Sequence, residues 1–141
     1  MTVGEAMTRN PVSCPVEAKL GDVAKQMVEH DCGAIPIVEG GRAIGIVTDR
    51  DIVVRAVAQG RNPLECTARD AMTEGVLTVR EEQDLEEAAE QMQAQQVRRA
   101  VVVDAQGKIC GMLAQADIAE EDEDLAGEMV QGVSQGPGLQ H

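Results

Sequence analysis

The sequence contains one unit twice, and this internal repeat constrains the fold more than any other feature. The tripeptide Ala-Met-Thr at 6–8 recurs at 71–73, which is a shift of 65 residues. One extra residue near Gln106 changes the shift to 66, so the stretch 44–52 matches 110–118. Each of these stretches is an apolar run with a glycine that leads into an acidic helix start. Two copies of a unit this small must pack on each other, because neither can cover its own sheet.

Each copy shows the same order of elements. A short extended piece leads into a helix of about twelve residues with one apolar stripe, then two apolar runs form a hairpin, and a second helix follows. The sequence therefore predicts an α+β (mixed α/β) protein, with two β-α-β-β-α repeats packed by pseudo-twofold symmetry through small sheets. The predicted parts are repeat 1 at 1–60, a linker at 61–66, repeat 2 at 67–119 and an acidic, flexible tail at 120–141.

The composition argues against several classes of partner. The net charge of −13, with only 12 basic residues, disfavours nucleic acid, whose affinity depends on Lys and Arg neutralising phosphates. No run approaches the roughly 18 apolar residues of a membrane span, and no signal segment is present. We therefore predict a soluble, cytoplasmic protein that binds neither nucleic acid nor membrane. The aromatic fraction is 0%, so the core consists of aliphatic side chains and methionine.

The cysteines and histidines give little support to catalysis or metal binding. None of the four cysteines has metal-ligand spacing, and Cys14, Cys32 and Cys110 match apolar residues in the other copy. We interpret them as small buried apolar residues, with a redox role as the alternative. His30 and His141 have no nucleophile or metal partner at a suggestive spacing. The sequence predicts no enzyme activity and no metal site.

The junction at Thr48 and Asp51 allows two interpretations. Thr48 ends a strand three residues before Asp51, which is typical of a helix N-cap with an acidic first turn. The same geometry suits a nucleotide, because free N–H groups at a helix start attract phosphate and a carboxylate one turn later can accept ribose hydroxyls. Pro36, in the first hairpin strand, cannot donate a ladder hydrogen bond, so that strand should have an open side nearby.

The combined pattern resembles the cystathionine β-synthase (CBS) domain pair, or Bateman module, of the stand-alone bacterial type. It consists of an extended piece, a helix, an apolar-Pro-apolar strand, a turn and a Gly-apolar-apolar-Thr-x-x-Asp stretch, present in tandem over about residues 1 to 119. Many members bind adenosine-containing ligands such as AMP, ADP, ATP or S-adenosylmethionine between the repeats. The resemblance thus implies an adenine nucleotide as a regulatory ligand, with no other cofactor.

The resemblance also implies which residues contact the ligand. In copy one, Thr48 would contact ribose or phosphate, Asp51 would hold the ribose hydroxyls, and Ser13 would lie nearby. The backbone at Ala34, Ile35 and Pro36 would contact the adenine edge. Copy two has Ala114 where copy one has Thr48, so the first site is the stronger candidate. The candidates in copy two are Asp117, Thr78, Arg99, Ala100 and Val101.

Two function hypotheses follow from these patterns. The first is a sensor that binds an adenosine-type ligand and signals to a partner protein in trans. The alternative is a structural or stress-related interaction scaffold with the same fold and no nucleotide. CBS pairs commonly form disc-like homodimers, so we predict a dimer with Ile52, Val53 and Val57 as candidate interface residues; internal packing is an equally good interpretation of these three.

Overall fold

The computed structural model describes residues 1–121 of the chain. The first half contains α1 (Val3–Ala6), β1 (Thr8–Arg9), β2 (Cys14–Pro15), α2 (Leu20–His30), β3 (Ala34–Glu39), β4 (Arg42–Thr48), α3 (Asp49–Ile52) and a π-helix at Val53–Val57. The second half contains α4 (Ala68–Ala71), β5 (Thr73–Glu74), β6 (Thr78–Arg80), α5 (Leu85–Gln95), β7 (Arg99–Val103), β8 (Ile109–Ala114) and α6 (Gln115–Glu121). The predicted α+β class is confirmed. The predicted acidic tail lies outside the described residues from position 122 onward.

The chain forms two compact units that do not coincide with the sequence repeats. Among the described residues, unit I is Pro11–Val76, and unit II combines Met1–Asn10 with residues 77–121. The predicted division at 1–60 and 67–119 follows the sequence repeat, whereas packing assigns the first ten residues to the second repeat. The predicted linker, 61–66, belongs to unit I, where the N–H of Leu20 donates to the Cys66 carbonyl at 2.9 Å.

Each unit has one four-stranded sheet of the same design. The strand order is β2-β3-β4-β5 in unit I and β1-β8-β7-β6 in unit II. The predicted hairpins are β3 with β4 and β7 with β8, both antiparallel. One edge strand of each sheet comes from the Ala-Met-Thr segment of the other repeat. In unit I, β5 of the second repeat pairs with β4, and in unit II, β1 of the first repeat pairs with β8.

Two glycines make the pairing with these exchanged strands possible. A Cβ on Gly45 would lie 2.7 Å from the Met72 sulphur and 2.9 Å from the Thr73 carbonyl oxygen. A Cβ on Gly111 would lie 2.9 Å from the Thr8 carbonyl oxygen and would overlap the Met7 sulphur. Real Cβ atoms do not approach other atoms this closely, so only glycine fits beside the Met-Thr segments that lead into β1 and β5.

Pro36 shortens the first sheet on the side where an open strand was predicted. In unit II the N–H of Val101, which corresponds to Pro36, donates to the Leu77 carbonyl at 2.9 Å, and β6 pairs with β7 from Thr78. Pro36 has no N–H, and β2 pairs with β3 only from Cys14 opposite Ile37. The edge of β3 before Ile37 is therefore free of β2, as predicted.

Helical spacing places the predicted stripes in the cores. Leu20, Val23 and Met27 of α2 are buried, and α5 buries its own apolar stripe in the same way. In the helix after Thr48, the structure separates the three candidate interface residues. Ile52 packs on the core and Ala56 is buried, but Val57 is exposed. Val57 follows Ala56 directly in the chain, and its side chain lies outside the narrow buried face.

The cysteines are free thiols in largely apolar surroundings. Cys14 and Cys66 are buried, and Cys32 and Cys110 are half-buried. Burial raises the pKa of the Cys14, Cys32 and Cys110 thiols above the ordinary value. At neutral pH these thiols stay protonated, as the interpretation as small apolar residues requires.

Candidate functional site

Thr48 and Asp51 form a complete capping box where β4 ends and α3 begins. The Asp51 N–H donates to the Thr48 hydroxyl at 3.1 Å, and the Thr48 N–H donates to Asp51 Oδ2 at 2.9 Å. The predicted N-cap interpretation is therefore confirmed as a local structure. Asp70 accepts from the Thr67 N–H in the same way, at 2.8 Å, so this chain also uses the carboxylate half of the motif at a second helix start.

The cap leaves hydrogen-bonding capacity for a ligand. The Thr48 hydroxyl accepts one bond and keeps its own proton to donate. Asp51 Oδ2 serves the cap, while Oδ1 lies 3.9 Å from Arg55 Nε in a partly exposed, weak ion pair. A carboxylate has about four lone-pair positions, so Asp51 can accept further hydrogen bonds without losing the cap.

The sheet brings the other first-copy residues to the same end of unit I. Ala34 of β3 is paired directly with Thr48 of β4. Ser13 is exposed and immediately precedes Cys14, which is opposite Ile37. The side chains of Ile35 and Pro36 are buried, so only their backbone groups can meet a ligand. All six predicted residues of the first copy thus lie around the junction.

Three further residues, Cys32, Gly33 and Asp49, lie at this junction and were not predicted as site residues. A Cβ on Gly33 would lie 3.1 Å from Asp49 Oδ2, and the Asp49 N–H donates to the Gly33 carbonyl at 3.0 Å. The Ala34 N–H forms a hydrogen bond with the Cys32 thiol and lowers the pKa of that thiol. Burial raises the same pKa by more, so the net shift is upward. Asp49 follows Thr48 directly in the sequence, and this position is the signal that could have identified it. The capping pattern pairs Thr48 with Asp51 alone, so Asp49 was not selected.

Arg55 links the helical segment after the site to the exchanged segment. Its Nη1 donates to the Met72 carbonyl at 2.9 Å, and the Nε of the same guanidinium faces Asp51. A change at Asp51 therefore alters the surroundings of a side chain that also holds residue 72.

The second copy keeps only half of this arrangement. The Ala114 N–H donates to Asp117 Oδ2 at 2.9 Å, but Ala114 has no hydroxyl to accept the N–H of Asp117. Burial raises the pKa of the Asp117 carboxyl, partly offset by the hydrogen bond from Ala114. The carboxylate is held in place, whereas the hydroxyl that would donate to a ligand is absent.

The remaining second-copy candidates also lie at one end of their sheet. Arg99 is paired with Ala114, and exposed Thr78 is opposite Val101. Ala100 and Val101 are fully buried, and Ala100 belongs to the core of unit II, whereas Val101 points to the opposite face of the strand. Arg98 is half-buried, and burial lowers the pKa of its guanidinium, with a further contribution from the charge of Arg99.

Replacing Ala114 with threonine is expected to complete the second capping box. The acceptor half already exists at Asp117, so the new hydroxyl gains a backbone N–H partner. We expect Ala114→Thr to raise the free energy of unfolding by about 1 kcal/mol, measured by urea denaturation. Ala114→Ser should also raise the free energy of unfolding. Ala114→Val should not raise it, because valine has the shape of threonine without the hydroxyl. Equal effects of Thr and Val would contradict this explanation.

Residues 1–121 contain neither a metal-binding cluster nor a membrane-spanning helix. Histidine, cysteine and acidic side chains in this range do not gather in groups of three that would suit a metal ion. In the same range, each helix is too short or too polar to cross a membrane.

The two units and their repeated strand-to-helix junctions define a tandem-repeat α/β protein with matched candidate sites. The CBS domain model matches the chain twice, at residues 3–57 and 68–124. The chain belongs to the CBS domain family and is a tandem CBS pair.

Known relatives support this assignment. The uncharacterized protein MK0525 of Methanopyrus kandleri is 38% identical over 122 residues, which are 85% of this chain and 62% of that protein, so the chain spans less than two thirds of this relative. Hypoxic response protein 1 of Mycobacterium tuberculosis is 34% identical over 84% of each chain. A crystal structure of hypoxic response protein I, with two coordinated zinc ions, has a TM-score of 0.75 at 30% identity, covering 86% of this chain and 99% of that one.

A third comparison concerns a ligand complex. The CBS domain pair of protein MJ0100, solved with 5′-methylthioadenosine and S-adenosyl-L-methionine, has a TM-score of 0.75 at 25% identity. The match covers 86% of this chain and 94% of that pair.

Proposed function

We propose that this protein is a regulatory sensor that binds an adenosine-type ligand at the Thr48–Asp51 junction of unit I. The observation that carries the proposal is the direct pairing of Ala34 with Thr48. This pairing puts the backbone expected to contact adenine beside the side chains expected to contact ribose. The related pair of MJ0100, in complex with two adenosine derivatives, supports this class of ligand.

The chemistry of the junction suits a nucleoside. Thr48 offers one hydroxyl donor, Asp51 offers carboxylate acceptors, and the β3 edge near Pro36 is free of β2. A ribose presents two hydroxyls that donate to a carboxylate, and an adenine edge presents a donor and an acceptor that match peptide groups. The second junction, without a hydroxyl at Ala114, is the weaker site.

In this proposal the ligand changes the conformation of the protein, and the protein catalyses no reaction. A ligand shifts an equilibrium only by its difference in affinity for two states, so the sensor must bind one arrangement more tightly. We propose that the protein acts as a homodimer in the cytoplasm and transmits the change to a partner protein in trans.

Calorimetric titration with 5′-methylthioadenosine, S-adenosylmethionine, AMP, ADP and ATP tests this function. At least one ligand should bind saturably to the wild-type protein. Asp51→Ala should weaken binding of that ligand at least tenfold, because the ribose hydroxyls lose their acceptor. Asp117→Ala should change the affinity less than threefold.

Asp70→Ala is the matched control for the structural part of the Asp51 effect. Asp70 also caps a helix start with its carboxylate, and it lies outside the junction. Asp51→Ala and Asp70→Ala should lose similar stability, about 1 kcal/mol, while only Asp51→Ala loses affinity. Equal affinity in all three variants, or no heat with any ligand from the folded protein, would contradict the proposal.

An interaction scaffold is the second candidate, favoured by the complete cap at Thr48. The two side chains satisfy each other without a ligand, so stability alone explains their presence. Thermal unfolding separates the two functions. A ligand at 100 times its dissociation constant stabilises a sensor by about 2.7 kcal/mol, whereas a scaffold does not respond.

A further inference from the structure

The backbone N–H groups where β4 passes into α3 are occupied by groups of the protein itself. The Asp49 N–H donates to the Gly33 carbonyl at 3.0 Å, and the Arg50 N–H donates to Asp49 Oδ1 at 2.8 Å. The capping box uses the N–H groups of Thr48 and Asp51. A phosphate at a helix start is bound by N–H groups of this kind. The four consecutive donors at this turn are therefore already used.

Asp49 places a carboxylate where a phosphate would bind. Its Oδ1 covers the Arg50 N–H, and its Oδ2 is 3.1 Å from the position that a Cβ on Gly33 would take. The residues proposed to hold a nucleoside are its neighbours, because Ala34 follows Gly33 and is paired with Thr48. A ligand phosphate at this junction would meet a negative charge instead of open donors.

The two arginines of this segment do not replace those donors. Arg55 Nη1 donates to the Met72 carbonyl at 2.9 Å, and Arg55 Nε faces Asp51 Oδ1 at 3.9 Å. The Arg50 side chain is exposed, whereas Asp49 is half-buried. Solvent and salt screen an exposed charge more than a half-buried one. The charge of Asp49 therefore acts on a bound ligand more strongly than that of Arg50.

The second repeat shows that the turn forms without this acid. Gln115 corresponds to Asp49 at the shift of 66 residues. The Gln115 N–H donates to the Arg98 carbonyl at 2.9 Å, which is the counterpart of the bond from Asp49 to Gly33. A neutral side chain thus supports the same backbone. Folding alone does not require a carboxylate at position 49, and the ligand of the junction supplies a reason for it.

We propose that the Thr48–Asp51 junction selects an adenosine derivative without a phosphate, and that Asp49 is the residue that excludes phosphate. The inference rests on the proposed function and narrows its ligand class to compounds with a neutral or cationic 5′ group. It differs from the adenine nucleotide that the family resemblance implied. A site can select one ligand by repelling a similar one, and a carboxylate held in place repels an anion.

Calorimetric titration with 5′-methylthioadenosine and AMP, which differ only in the 5′ group, tests the selection. The wild-type protein should bind 5′-methylthioadenosine about tenfold or more tightly than AMP. Asp49→Asn keeps the shape and the acceptor for the Arg50 N–H but removes the charge. The ratio of the two affinities should therefore fall about fivefold or more in this variant. Asp49→Gln, which introduces the residue of the second repeat, should change the ratio in the same direction.

Glu39→Gln is the matched control for the net charge of unit I. Glu39 ends β3, whereas Ala34 begins it, so the two residues lie at opposite ends of that strand. The Glu39 carboxylate forms an exposed ion pair with Arg69 at 2.9 Å, and loss of such a pair costs little stability. This variant loses one negative charge far from the junction, so the affinity ratio should equal that of the wild type.

Three results would overturn the inference: AMP bound by the wild type as tightly as 5′-methylthioadenosine, an unchanged ratio in both Asp49 variants, or an equal change of ratio in Glu39→Gln. If either ligand still loses its binding in Asp51→Ala, the proposed function stands and only the selection fails. Binding of neither ligand by the folded protein would also overturn the inference. The proposed function itself fails only if S-adenosylmethionine, ADP and ATP give no heat as well.

Discussion

Gly111→Val is expected to destabilise the protein by about 3 kcal/mol or more. A Cβ at this position would lie 2.9 Å from the Thr8 carbonyl oxygen and would overlap the Met7 sulphur. The methionine side chain can move, but the Thr8 carbonyl belongs to β1, whose pairing with β8 includes Arg9 opposite Gly111. Relief of the overlap must therefore displace β1 from the sheet. Urea denaturation, with the midpoint and slope both fitted, measures the loss.

Cys110→Val is the matched control for this substitution. It places the same side chain one position earlier in β8, where Cys110 is half-buried and the other repeat has Ile44. We expect a change within about 1 kcal/mol, since valine fits a strand and the site already accepts a larger residue in the first copy. Gly45→Val should reproduce the large effect in unit I. A loss at Gly111 no greater than at Cys110 would contradict the steric explanation.

Val3→Asp is expected to cost more than about 4 kcal/mol, and to act on unit II. The Val3 side chain is fully buried in the core of unit II, and its N–H donates to the Gln83 carbonyl at 2.8 Å. A carboxylate there is buried without an opposite charge, which is among the most costly substitutions known. Native-state hydrogen exchange should show lost protection in β7 and β8, which are more than ninety positions away in sequence.

Glu5→Gln provides the control in the same short helix. Glu5 is exposed, so this change should stay within about 0.5 kcal/mol. The location of the effect is the decisive part of the Val3→Asp experiment. Loss of protection confined to β3 and β4 would mean that the first ten residues stabilise their own repeat instead of unit II.

Local patterns explain why so much of the fold was predictable. The two hairpins are marked by paired apolar runs, and α2 and α5 by buried positions at helical spacing. The cap at Thr48 needs only a hydroxyl and a carboxylate three residues apart, which is a relation within one turn of chain. Alignment of the two copies likewise shows that Ala114 lacks the hydroxyl that Thr48 has in the first copy.

Other parts of the candidate site depend on contacts between distant residues. The closeness of Asp49 to Gly33 depends on the β3–β4 register, and the bond from Arg55 to Met72 joins residues seventeen positions apart. Periodicity describes one element at a time, so it contains no information about such pairs. For the same reason the sequence left internal packing and a subunit interface as equal interpretations of Val57, which is exposed.

The sequence alone determined that this protein is made of two matched repeats, which elements each repeat contains, and where a cap or ligand junction can form. Only the tertiary structure decided which Ala-Met-Thr segment completes which sheet. The segments at 6–8 and 71–73 are identical, and Gly45 and Gly111 offer nearly the same place to either. Local sequence cannot distinguish these partners. The choice depends on chain connectivity and on side chains such as Val3, which are buried only after the distant strands have formed.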